Sequence, residues 1–197
     1  MSVRSEQIGT AAGVASPVVS LGSILLATAL SPTFTWTGSA LSDLGAPTAP
    51  TAALFNGGLV LGGALALPFA VRLVGAARNR PESVGAGLFA LTALALAGVG
   101  LFPLTTPQHT PVAIAFFLLL SLSLWAYGAG NALAGDRRLG VLTAVLGALN
   151  VAAWVVYVTI FPGLGLALPE SVGAGVLALW AVGTALRLRR AALGRSI

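Results

Sequence analysis

Cysteine is absent from the 197 residues, so no disulfide, thiolate nucleophile or cysteine-ligated metal is available. Lysine is absent too, and all ten basic residues are arginines. A single histidine, His109, excludes a bis-histidine haem and the multi-histidine zinc sites of membrane hydrolases. Charge is scarce: 8% of residues carry it, against about a quarter in a soluble globular domain. A water-facing surface cannot easily be built from that composition. Strands of about ten residues with alternating polarity are missing, which argues against a membrane barrel. With no strands expected, there is no strand-to-helix setting for a phosphate-cradling glycine loop.

Hydrophobic residues make up 57% of the chain. They fall into six runs of roughly 20 residues, the length that crosses a hydrocarbon core about 30 Å thick. Lipid offers backbone groups no water to bond, so each crossing is helical. The expected fold is an all-α, single-domain bundle of six transmembrane helices over residues 1–197. Its helices are placed at Ile8 to Leu30, Ala52 to Ala76, Val84 to Phe102, Val112 to Leu133, Leu139 to Phe161 and Glu170 to Leu188. Pro17 is expected to kink the first. The longest connection, residues 31–51, is rich in Pro, Gly and Thr, and its Phe34 and Trp36 suit an interfacial belt.

The arginines alternate with the runs. Arg4 precedes the first; Arg72, Arg78 and Arg80 surround the link after the second. Arg137 and Arg138 follow the fourth, and Arg187, Arg189, Arg190 and Arg195 end the sixth. Basic residues mark cytoplasmic loops, which predicts an integral protein of the plasma membrane with both termini in the cytoplasm. The first run reads as a retained helix, not a cleaved signal, because five more follow it. The net charge of +5 does not point to nucleic acid, since the arginines flank apolar helices and form no continuous basic surface. Membrane lipids are the expected partners.

Small residues at four-residue spacing, Gly58 with Gly62 and Ala93 with Ala97, suit close helix packing. Such faces serve packing within one chain or a homo-oligomer. The heptapeptide PESVGAG occurs at residues 81–87 and again at 169–175, each time opening a helix. Pro suits a first helical turn and Glu complements its positive end. The two helices run in opposite directions, so a true duplication would be an inverted three-helix repeat of the kind transporters use. Asn150, Pro17 and Pro68 are the interior features such a transporter would draw on.

Setting aside the arginines and their companions Glu6, Glu82 and Asp136, the remaining acids and histidine are Asp43, His109 and Glu170. All three are expected on the outer face, with Ser42, Asn56, Thr105, Thr106, Gln108 and Tyr157 in the same layer. Polar groups kept near membrane depth are functional candidates. In order along the chain, Ser42-Asp43-Leu44-Gly45, Phe55-Asn56, Gly100-Leu101-Phe102-Pro103, His109 and Pro169-Glu170 resemble the membrane family called domain of unknown function 998. The resemblance covers essentially the whole chain and implies a six-helix membrane protein of archaeal or bacterial type, without an established activity. Leu104 departs from it, standing where members often carry an acid.

Three roles fit the outer residues. Asp43, His109 and Glu170 are a set from which a metal site can be built, though without a second histidine no metal or other cofactor is assigned. Ser42, His109 and a carboxylate match nucleophile, base and orienter, although Ser42 sits in a turn-like setting. The third role is a hydrogen-bonded tether of the long loop to the bundle, with Glu170 capping the sixth helix. The function expected is an outward-facing polar pocket for a lipid head group or small solute, formed by Ser42, Asp43, Asn56, His109 and Glu170. An enzyme acting on lipid at the outer leaflet, with His109 as acid/base, and a small transporter remain the alternatives.

Overall fold

The computed structural model describes residues 2–194; Arg195, assigned above to the end of the sixth run, lies outside them. Six helices form: α1 (Val3–Leu30), α2 (Ala52–Ala76), α3 (Arg80–Leu101), α4 (His109–Leu133), α5 (Arg137–Ile160) and α6 (Ala167–Leu193). A short 3-10 helix, Leu41–Gly45, lies in the α1–α2 link. No strand occurs among the described residues. All six helices are long and apolar enough to cross a membrane. The shortest has 22 residues, about 33 Å at the usual helical rise. Large apolar side chains such as Leu26, Leu94, Leu118, Leu149 and Leu179 are exposed on the outer faces of the bundle. An exposed apolar exterior fits lipid and not water.

Five helices start earlier than residue patterning predicts, and capping explains two of them. Ser2 accepts from the Ser5 N–H and starts α1 at Val3 instead of Ile8. Asn79 accepts from the Glu82 N–H and starts α3 at Arg80 instead of Val84. A capping side chain satisfies donors that the first turn leaves unpaired. The α6 helix continues to Leu193, beyond the expected Leu188, because arginine is a good helix former and suits the negative C-terminal end.

Each helix packs on its neighbours in sequence, and α6 packs on α1, so the six close into a ring. Near its centre Phe69, Phe89, Tyr127 and Trp180, from α2, α3, α4 and α6, meet with ring centroids 5.2 to 6.3 Å apart. Tilted and edge-on pairs of this kind suit the ring quadrupoles. Small residues set the close contacts. Gly58 and Gly62 lie against Ser23 and Ser20 of α1, while Gly63 lies against Ala93 and Ala97 of α3. The expected small-residue pairs therefore pack helices within the chain. Side-chain hydrogen bonds add links between helices: Ser123 donates to the Gly85 carbonyl, and Asn150 donates to the Phe117 carbonyl and to Ser121.

Ion pairs identify one end of the ring. Glu6 at the start of α1 meets Arg72 near the end of α2, and Asp136 before α5 meets both Arg78 before α3 and Arg187 of α6. This is the arginine end. The opposite end carries the long α1–α2 link and is called the loop end below.

Candidate functional site

At the loop end the 21-residue span between α1 and α2, residues 31–51, is bonded down at several points. The Gly165 and Ala167 N–H groups donate to the Thr37 and Ser39 carbonyls at 2.7 and 2.9 Å. These bonds join the first link to the α5–α6 link and to the start of α6. Leu41 donates its N–H to Glu170 Oε2 at 2.6 Å, and Asn56 Nδ2 donates to the Gly45 carbonyl at 2.8 Å. Thr51 donates its hydroxyl to the Leu44 carbonyl. Asp43 turns back on its own 3-10 helix, accepting from the Ala40 N–H at 2.8 Å. Asn56 bridges the loop as expected. Glu170 does not cap α6, whose start has no side-chain cap, and instead accepts from the loop at Leu41. Asp43 accepts from a backbone amide of its own turn.

Beneath that cover lies a pocket walled by α1, α2, α3, α4 and α6, with α5 taking no part. It encloses about 580 Å³ of space between atoms, its open mouth included, but only about 60 Å³ admits the centre of a water-sized sphere. The space is a slot. Its walls are apolar side chains, among them Ile24, Leu59, Leu96, Phe116 and Leu177. Ser42, His109 and Glu170 line it; Asp43 and Asn56 do not. The polar pocket expected from the sequence is thus an apolar slot with a few polar groups, and two of its five expected members serve the loop instead. Sequence ordering cannot separate them: Ser42, which lines the slot, and Asp43, which bonds its own turn, are adjacent in one 3-10 helix.

His109 Nδ1 lies 2.7 Å from the Phe102 carbonyl. A carbonyl only accepts, so Nδ1 carries a proton, and in the neutral form of the ring Nε2 is left as an acceptor. Neither Nε2 nor the Ser42 hydroxyl has a hydrogen bond among the described residues, and both residues line the slot. Glu170 Oε1 is likewise without a bond, and no basic residue pairs with this carboxylate. The slot therefore offers polar atoms without partners in an apolar setting, and no arginine is among its lining residues.

Two alternatives lose support. Among the described residues no three acidic or histidine groups are placed to share a metal ion. Ser42 is not bonded to His109, and the imidazole is oriented by a carbonyl instead of a carboxylate, so the nucleophile–base–orienter relay is not assembled. Asn150, the interior polar group a transporter would use, directs its amide to α4 between helices.

Residues at the other end went unassigned in the sequence. Arg72 is not a flanking charge: it is 3% exposed, inside α2, with one guanidinium nitrogen 3.2 Å from Glu6. Glu82 is 1% exposed and takes Arg78 at 2.6 Å, while Arg78 also reaches Asp136 at 2.7 Å and Asn131 at 2.9 Å. The Glu82 hydrogen bond foremost, with Asp136 beside it, strengthens the Arg78 hold on its proton. The Arg78 bond holds the Asp136 carboxyl below the ordinary value. A charge four residues inside a hydrophobic run was the signal that marked Arg72, since such residues face the bundle interior.

A six-helix ring with apolar outer faces, a capped slot at one end and a charge network at the other defines a multi-pass membrane protein. More particularly, the chain belongs to the family described as "Protein of unknown function (DUF998)", whose model matches residues 14–187. Neither the curated proteins nor the solved structures provide a match to the chain.

Proposed function

We propose that this chain is a plasma-membrane protein, with its arginine end in the cytoplasm, whose loop-end slot binds an amphiphile. The arginine distribution supports the orientation. In this reading the tail lies between the helices and the head meets Glu170, His109 and Ser42. The observation that carries it is the pairing of apolar walls with acceptor atoms left without partners. These atoms line the slot, where a donor on a bound head can reach them. The head group that fits therefore offers hydroxyl or amine donors. A head bearing only anionic phosphate would meet the Glu170 carboxylate with no cation to offset it.

Native mass spectrometry of the protein released gently from detergent tests this. Wild type should retain a lipid-sized adduct, Leu177→Trp should lose it by filling the slot, and Glu170→Gln should hold it less firmly. Retention of the same adduct by a folded Leu177→Trp protein sinks the reading.

A further inference from the structure

We propose a second site, independent of the slot: a cavity at the arginine end that binds a phosphate-type oxyanion. The cavity lies among the start of α1, the ends of α2 and α6, the α2–α3 link and α4. About 400 Å³ of it admits the centre of a water-sized sphere, far more than the slot at the other end. Arg72, Arg78, Arg187 and Tyr127 line it together with Glu6 and Glu82.

The hydrogen-bonding inventory is unbalanced. Glu82 is fully engaged, both oxygens accepting from Arg78, whose guanidinium also bonds Asp136 and Asn131. Arg72 and Arg187 are different. Arg72 contacts a single carboxylate oxygen at 3.2 Å and its Nε is buried without a partner. Arg187 approaches Asp136 only to 3.7 Å, beyond hydrogen-bond distance, and its Nε is buried without a partner as well. The Tyr127 hydroxyl, from a residue 1% exposed, donates to nothing among the described residues. Among the described residues, two guanidinium groups and a phenol therefore present donors to one cavity that have no acceptor there.

A ligand that corrects this must bring several acceptor oxygens, and negative charge on them strengthens each guanidinium contact. Phosphate does both, and arginine forks match its geometry. Two sources share that chemistry: a phospholipid head group and a soluble phosphate. A groove between α1 and α6, lined by Val14, Val18 and Leu186 and sharing Glu6 with the cavity, gives lipid tails a place beside it.

The test is thermal unfolding of the full-length protein in detergent, titrated with phosphatidylglycerol, phosphatidylcholine or inorganic phosphate against chloride of equal ionic strength. Wild type should be stabilised by a phosphate-bearing ligand. Arg187→Gln should weaken its apparent affinity roughly tenfold, the loss expected of a charge-assisted contact. Tyr127→Phe, a change small enough to leave the fold intact, should weaken it by a smaller factor. Stabilisation by phospholipid but not by inorganic phosphate assigns a head group, and stabilisation by inorganic phosphate assigns a soluble ligand. No stabilisation by any of the three, or stabilisation unchanged in Arg187→Gln and Tyr127→Phe, overturns the site.

Discussion

The two ends of the ring carry the same heptapeptide and use its glutamate in the same first step. Glu82 accepts the Arg78 N–H at 2.6 Å, and Glu170 accepts the Leu41 N–H at 2.6 Å. They part company in what else they meet. Glu82 has a guanidinium on both oxygens, whereas Glu170 has one oxygen bonded and the other facing an apolar slot. The glycines that follow also differ in use: Gly85 lies against the Tyr127 backbone on α4, while Gly173 lies against Phe117 of α4 and Asn150 of α5. The shared motif is helix-opening chemistry, and neighbouring residues decide whether its carboxylate completes an ion pair or stands ready for a ligand.

The sharpest way to break the comparison is to remove each carboxylate in turn. Glu82→Ala leaves Arg78 and the Arg78 N–H without their acceptor. Because Glu82 is buried, we expect a loss of about 3 kcal/mol, the scale for breaking one partner of a buried pair. Unfolding in detergent measures it, and a loss below that of the equivalent change at Glu170 would reverse our ranking of the two ends. Next in size is Gly165→Ala. A methyl group there collides with the backbone of Gly38 and Ser39, just where the two links at the loop end are hydrogen-bonded. Overpacking of this kind costs about 2 kcal/mol, and hydrogen exchange should show the loss confined to the loop end, leaving Glu82 and its partners protected.

The ring was legible because six apolar runs and their arginine flanks are strong, redundant signals. Shifts of more than one residue are confined to five helix starts and the end of α6. The Asn79-to-Glu82 cap is a three-residue polar signal that apolar periodicity does not register, and the Ala167 N–H at the α6 start bonds the distant Ser39 carbonyl, which no local pattern reveals. At the loop end His109 and Glu170 were visible as rare polar residues beside apolar runs. Which of them would line a slot was not, because Asp43 and Asn56 have the same sequence character but bond their own loop. The arginine end was set aside for a physical reason. Flanking arginines normally anchor helix ends to lipid head groups, and only packing shows that Arg72 and Arg187 have donors facing no acceptor.

At the loop end a milder change sharpens the contrast. In Glu170→Gln the side-chain carbonyl still accepts the Leu41 N–H, so stability should fall by about 1 kcal/mol or less. Ligand retention should suffer more than stability does, since the second oxygen is the one facing the slot. A stability loss equal to that of Glu82→Ala would mean that the glutamate is chiefly a clamp on the loop.

The smallest effect expected is a pH dependence at the arginine end. Arg78, by hydrogen bond and by charge, lowers the Asp136 carboxyl below its ordinary 3.8. A depressed folded value makes its contribution fully present above the unfolded value and lost as pH falls through the folded one. Wild type should therefore lose stability on acidification below about pH 4 more steeply than Asp136→Asn, which has no proton to take up there. Because Asp136 is open to water, the difference should also shrink as salt screens it. The Glu170 slot is common to both proteins, so subtracting the two pH profiles isolates the arginine end. Parallel profiles would mean that the Arg78–Asp136 contact is geometric only, leaving Glu82 as the acid that holds Arg78 in place.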